Sequence, residues 1–266
     1  MDTLAQDYNG KNIIKYDPVP KIQKLLSSGY IVRLDGKIVP AITSKAVDVP
    51  WVYVRHKENI PCGFTTDVLF NTFNVFPKAC LGCWKVVVRP RTVKELIQLL
   101  ELEENLTNRP CKCGIERRPY VNALYGGYFY NSSEEEGLDC LADVKELVAK
   151  HISPDIKIIL KRYCTEFELK FGPSDQVEES IQRGYYTEPD GAKVSIMDAG
   201  NMEIWEAIAY QLFDIDDQKS YQPDWVKQHV IAEWFKWAWA NGDMTVKEFF
   251  DGEPLFRPSV TYERKG

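Results

Sequence analysis

Lys85-Val-Val-Val-Arg89, followed at once by Thr92-Val-Lys-Glu95, is the stretch on which the fold turns. Three valines between two basic residues suit a short buried strand. Thr and Glu three apart have the form of a capping box. In it, hydroxyl and carboxylate each satisfy a backbone N–H that the first helical turn leaves free. Behind this cap Val93, Leu96, Ile97, Leu99, Leu100 and Leu106 gather mostly on one helical face. Further on, Tyr128 to Tyr130 read as a second strand, preceded by the flexible pair Gly126-Gly127. Leu138 to His151 read as a second amphipathic helix, through Leu141, Val144, Leu147 and Val148, and Ile156 to Leu160 read as a third strand. Strand, helix, strand, helix, strand is the pattern of a parallel sheet with right-handed crossovers. The expected class is α/β (or α+β), with a central parallel βαβαβ-type sheet.

Around this core, residues 76–200, the sequence suggests two flanking regions. Residues 1–75 hold short elements broken by Pro and Gly, among them a hairpin from Tyr30 to Val39 about Asp35-Gly36 and a strand from Trp51 to Arg55. Cys62 in this region reads as a small buried apolar residue. Residues 201–266 are helical. Asn201 to Phe213 is amphipathic, and Pro223-Asp224 opens a Trp-rich helix, Trp225 to Ala240, whose apolar residues wrap more than one face. Such a helix is buried against the body of the protein or meets a second copy of the chain, which makes it the candidate homo-oligomer contact.

The chain has 266 residues, 44% of them apolar and 27% charged, and a net charge of −6. That composition is globular, and its charge argues against a general nucleic-acid coat or a polybasic membrane binder. The N-terminus lacks the apolar run of a secretory signal, and no stretch reaches the ~18 apolar residues of a membrane span. The expectation is a cytoplasmic protein with no membrane partner, whose seven cysteines are thiols, ligands or nucleophiles. Three histidines are too few for a His-rich metal centre.

Cys80-Leu-Gly-Cys83 and Cys111-Lys-Cys113-Gly114 stand 27 residues apart. A C-x2-C knuckle places two thiolates on one tetrahedral ion, and a second close pair completes four ligands. Lys78, Lys85, Arg109 and Lys112 nearby would favour the thiolate form. The expected ligand set is therefore Cys80, Cys83, Cys111 and Cys113, holding structural zinc or, as the alternative, an iron–sulfur cluster. In a parallel sheet this clip would lie at the amino edge, opposite the edge where substrates bind.

That opposite rim would carry Arg89 and Arg91, then Asn131, then Arg162 with Lys161, Cys164 and Glu166. Guanidinium groups offer paired donors to phosphate or carboxylate, so Arg89, Arg91, Asn131 and Arg162 are candidate ligand-binding residues. Glu166 is the candidate general base, Lys161 the stabiliser of negative charge and Cys164 the candidate nucleophile. Each has a bland counterpart: Arg91 paired with Glu95, and Cys164 as inert core. The acidic loop of Asp214, Asp216 and Asp217 lacks the glycine and distal glutamate of a calcium loop.

Residues 78–118 hold nine Lys/Arg and five Glu, net +4, leaving −10 for the rest of the chain. Tyr120, Tyr125, Tyr128 and Tyr130 follow directly, and tyrosines beside cations suit base stacking as well as ordinary cross-strand packing. The functional expectation is an enzyme acting on an anionic ligand such as a nucleotide or nucleic acid. The alternatives are an iron–sulfur redox enzyme and a non-catalytic interaction module using the Trp-rich helix.

Overall fold

The computed structural model describes residues 19–40, 50–55, 68–71, 76, 78–183, 185–187, 191, 193–195, 211–213 and 222–251. Cys62, most of the Asn201 to Phe213 helix and the Asp214, Asp216, Asp217 loop lie outside them. The chain divides into two compact units that interleave along the sequence, where three consecutive segments were expected. One takes Met1–Thr43, Glu58–Leu81 and Tyr163–Ser220; the other takes Ser44–Lys57, Gly82–Arg162 and Tyr221–Gly266.

In the first unit, α1 (Val19–Ser27) leads into β1 (Tyr30–Val32) and β2 (Ile38–Pro40), which pair antiparallel as the hairpin reading requires. Gly36 takes the turn's positive φ of 81°, and the Asp35 carboxylate accepts the Lys37 N–H at 3.0 Å. This unit's core is aromatic. Phe70, Phe76, Tyr163, Phe167 and Phe171 pack together with Cys80 of α2 (Lys78–Leu81), and Phe167 and Phe171 lie on α5 (Thr165–Phe171).

The second unit is built on a five-stranded sheet formed by β3 (Trp51–Arg55), β4 (Trp84–Arg89), β5 (Cys111–Ile115), β6 (Tyr125–Asn131) and β7 (Lys157–Arg162). Its order is β3-β5-β6-β4-β7, and every neighbouring pair is antiparallel. The expected parallel sheet is therefore corrected to an antiparallel one. The reason is specific. α3 (Val93–Asn105) joins β4 to β5, and α4 (Glu134–His151) joins β6 to β7. The registers make β4 and β5 run the same way, and likewise β6 and β7. Each helix thus belongs to a β-α-β crossover, but β6 lies between β4 and β5, and β4 lies between β6 and β7. This is the split β-α-β arrangement.

Both helix starts are capped by a side chain, at Thr92 as the sequence suggests and at Ser133, where α4 begins four residues ahead of the Leu138 start read from the sequence. The Glu95 N–H bonds to Thr92 Oγ1 at 3.2 Å, and the Glu136 N–H to Ser133 Oγ at 3.2 Å. The returning carboxylates reach one residue further than a capping box does: Glu95 takes the Arg91 N–H and Glu136 the Ser132 N–H, each at 2.7 Å. On one face of the sheet Val86, Val88, Cys111, Cys113, Ile115, Tyr125 and Phe129 are buried together with Leu96 and Leu99 of α3 and Val144 and Val148 of α4.

The Trp-rich helix α7 (Asp224–Ala240), which follows α6 (Ser174–Arg183) of the first unit in the sequence, packs in the second unit's core. Val226, Val230, Trp234 and Ala238, four apart, form its fully buried stripe, and the Trp234 indole donates to the Pro50 carbonyl at 2.9 Å. That stripe is buried within the unit, while Trp225 on the same helix is exposed. Beyond α7, Asp243 ties three elements together: its Oδ2 accepts the Tyr125 hydroxyl and the Val93 N–H, both at 2.6 Å. At the β3 edge Gln222 behaves as a fragment of a further strand. Its side chain accepts the Tyr53 N–H at 2.9 Å and donates to the Trp51 carbonyl at 2.7 Å. Among the described residues no helix is long and apolar enough to cross a membrane.

Gly126-Gly127 is not a flexible lead-in but part of β6. A Cβ on Gly127 would lie 2.5 Å from Leu99 Cδ2 and 3.3 Å from Glu103 Oε1, so the bare backbone is what lets α3 settle onto the sheet. At Gly114 the obstacle is the Pro50 carbonyl, which is backbone and cannot rotate away. Gly114→Ala is accordingly expected to destabilise by about 1–3 kcal/mol, the usual cost of overpacking. A urea titration monitored by circular dichroism tests this, and an unshifted midpoint would refute the close approach.

Candidate functional site

Antiparallel pairing removes the common rim on which the expected site depends. Arg89 lies opposite Lys157 at one end of the sheet, while Asn131 and Arg162 both lie opposite Trp84 at the other. Five residue steps of β4 separate those ends, about 17 Å. Arg91 turns to Glu95, with Nη2 to Oε1 at 2.5 Å, as its bland reading has it. Asn131 is buried, and the Arg162 guanidinium lies over the Trp84 ring. Lys161 is opposite Lys85 on β4. Cys164 is the N-cap of α5 and packs against the first unit's aromatic core, with Glu166 in that helix's first turn. The boundary between the units falls between Arg162 and Tyr163, so Lys161 belongs to the second unit and Cys164 and Glu166 to the first.

The cysteines follow the same logic. Cys80 packs in the first unit's core, whereas Cys83, Cys111 and Cys113 belong to the second. Cys111 and Cys113 are inward-facing positions of β5, opposite Phe129 and Gly127. Among the described residues no three His, Cys, Asp or Glu side chains group so as to hold a metal ion, so the four-cysteine clip finds no ligand set here. The expected lowering of the thiol pKa values is also corrected. Burial, and after it the nearby Glu103 carboxylate, pushes both Cys111 and Cys113 up, away from the thiolate. Arg55 offsets this only in part at Cys111.

The side of the sheet away from α3 and α4 holds a different cluster. Residues directly opposite one another in neighbouring strands share a face, and so do residues two apart in one strand. Lys112 faces Tyr53 on one side and Tyr128 on the other, and Tyr128 faces Val87. Lys85 and Arg89 on β4, Trp51 on β3, Tyr130 on β6 and Lys157 and Lys161 on β7 complete the face. Its strand positions carry five cations and no acid.

Lys112 Nζ lies 4.8 Å from the Trp51 ring centroid, 5.1 Å from Tyr53 and 5.8 Å from Tyr128. Trp51 and Tyr128 meet edge to face with centroids 5.4 Å apart. The Arg89 guanidinium lies 5.6 Å from the Tyr128 ring and donates to the Tyr128 hydroxyl at 3.1 Å. Arg118 donates to the same hydroxyl at 3.0 Å and grips Glu116 through two hydrogen bonds of 2.7 and 2.6 Å. Burial alone would raise the Glu116 carboxyl, but the hydrogen bonds and charge of Arg118 outweigh it and hold Glu116 below its ordinary range. Glu116 is thus a fixed anion that orients two guanidinium groups at one ring.

Sequence reading named Arg89, Tyr128 and Tyr130 and placed Lys112 only as a neighbour of thiols. It gave Trp51 and Tyr53 no chemistry. The available signal was alternation: Cys111 in, Lys112 out, Cys113 in is a strand pattern, and Trp51-x-Tyr53 and Tyr128-x-Tyr130 put rings on one side.

The opposite face holds an unused acid. Glu103 is fully buried, and neither carboxylate oxygen has a hydrogen-bond partner of ordinary geometry. Burial pushes its carboxyl well above 4.5, the Cys113 thiol offsetting this only in part as a weak donor. The folded protein therefore favours the neutral acid. Its contribution to stability is fully present below the unfolded value of 4.5 and is lost as pH rises through the folded value. Glu103→Gln keeps the shape and removes the ionisation. Its stability advantage over the parent is expected to widen with rising pH in parallel urea titrations, and a constant difference would refute a neutral Glu103. Comparison with protein-family models, with curated proteins and with solved structures finds no match to this chain.

Proposed function

We propose that the second unit binds an anionic ligand bearing a planar ring, of the nucleotide or nucleic-acid class, on the face of its sheet away from α3 and α4. The observation that carries this is Lys112 set among Trp51, Tyr53 and Tyr128, with Arg89 and Arg118 at the same tyrosine. Rings offer a base a stacking surface, and guanidinium and ammonium groups offer its phosphate charge-assisted hydrogen bonds. Among the described residues this face combines cations and rings with one ion-paired carboxylate, Glu116. It supports a reading of binding rather than of turnover.

The test is calorimetry of the full chain with nucleoside monophosphates and short oligonucleotides. Lys112→Gln and Arg89→Gln are each expected to weaken binding several-fold, in line with about 1 kcal/mol or more for a charge-assisted contact. Lys236→Gln, which removes an exposed pair with Glu233, is expected to leave binding unchanged. Unaltered affinity in both face variants would overturn the assignment.

A further inference from the structure

Tyr128 is only 5% exposed although it stands on the side of the sheet away from α3 and α4. Arg89, Lys112 and the edge of Trp51 lie against its ring. Along β6, Tyr130 follows on the same face and has Lys85 Nζ 5.6 Å from its centroid. The rings therefore carry cations already. A cation resting on a ring gains modestly from the ring's quadrupole, whereas a phosphate offers it a full opposite charge.

Resting on the function proposed above, we infer that the ligand is a single-stranded nucleic acid, and that it binds by exchange. Bases take the ring faces of Trp51 and Tyr128, and the cations on them, Lys112 and Arg89, turn to the phosphates. Two features select a polymer over a mononucleotide. Arg89, Lys112 and Lys157 stand on β4, β5 and β7, with β6 between β4 and β5 and neighbouring strands about 4.8 Å apart, so one phosphate cannot meet all three and a linked series can. The rings also recur, with Tyr130 about 7 Å beyond Tyr128 along the strand. A duplex is disfavoured because its base faces are stacked inside the helix and cannot reach a ring. The chain's net charge of −6 places this positive face against an acidic remainder, which restricts polyanion binding to it.

Fluorescence anisotropy with labelled ten-residue oligo(U) and oligo(dT), with a blunt duplex and an oligoglutamate peptide as competitors, tests the inference on the full chain. Both single strands are expected to bind, and the duplex and peptide to compete poorly. Trp51→Leu and Tyr128→Leu are expected to weaken binding roughly ten-fold, the scale of one lost stack. Lys112→Gln, at a half-buried position, is expected to keep the parent's circular dichroism spectrum and to lower the slope of log affinity against log salt by about one.

A nucleoside monophosphate that binds as tightly as the oligomers would overturn the polymer inference while sparing the function proposed above. Equal competition by duplex or peptide would overturn stacking, as would an unchanged affinity in the ring variants. An unchanged salt slope in Lys112→Gln would overturn the exchange. Absence of binding to any of these probes would overturn both readings.

Discussion

Both crossover helices pass over the same face of one sheet, and nearly everything else in the second unit follows from that. A β-α-β connection is right-handed, so α3 and α4 pack on the side where Val86, Val88, Ile115 and Phe129 are buried. The hydrophobic content of the alternating strands is committed to that side. The other side is left to the residues in between, which around a buried Val87 include Trp51 and Tyr53 on β3, Lys85 and Arg89 on β4, Lys112 on β5 and Tyr128 and Tyr130 on β6. A cation–aromatic face is thus what remains once the helices have taken the apolar half of each strand.

The aromatic residues there do not build an apolar core of their own. Lys112 stands at the centre of three rings, and Glu116 uses its buried negative charge to hold Arg118 beside Arg89. Two like-charged guanidinium groups near one tyrosine would repel, and the carboxylate between them offsets that repulsion. Glu116 also fixes their direction, since a bidentate pair constrains the guanidinium plane. The opposite face solves a harder problem less completely. Glu103 is buried without a good partner under α3, where only a bare Gly127 leaves room for it.

The elements were largely readable from the chain, and their pairing was not. The valine strand, the Thr92 cap, both amphipathic helices and the Asp35-Gly36 turn follow from local chemistry that acts over a few residues. The sheet's direction depends on where β5 inserts, and β5 is written as Cys-Lys-Cys-Gly-Ile, a string that resembles a metal knuckle more than a strand. Without β5 the remaining strands and helices alternate as a parallel sheet would, and a rim of Arg89, Asn131 and Cys164 is the natural consequence. With β5 counted, β6 becomes its hairpin partner and runs opposite to β4. The site was partly legible for the same reason. Arg89 and Tyr128 stood out by type, but Lys112 and Trp51 acquire meaning only through cross-strand register, which no local pattern encodes.

Gln222 gives the β3 edge an asymmetry worth drawing out. Edge strands expose unpaired N–H and C=O groups that can recruit a strand from another chain. Here one side chain satisfies a donor at Tyr53 and an acceptor at Trp51. Those two residues also carry the rings beside Lys112. A foreign strand seeking that edge would have to displace the amide that pins the backbone of both rings. The same amide thus occupies the sheet edge and holds the backbone of both ring-bearing residues, so a change at Gln222 would act on the edge and on the ring geometry together.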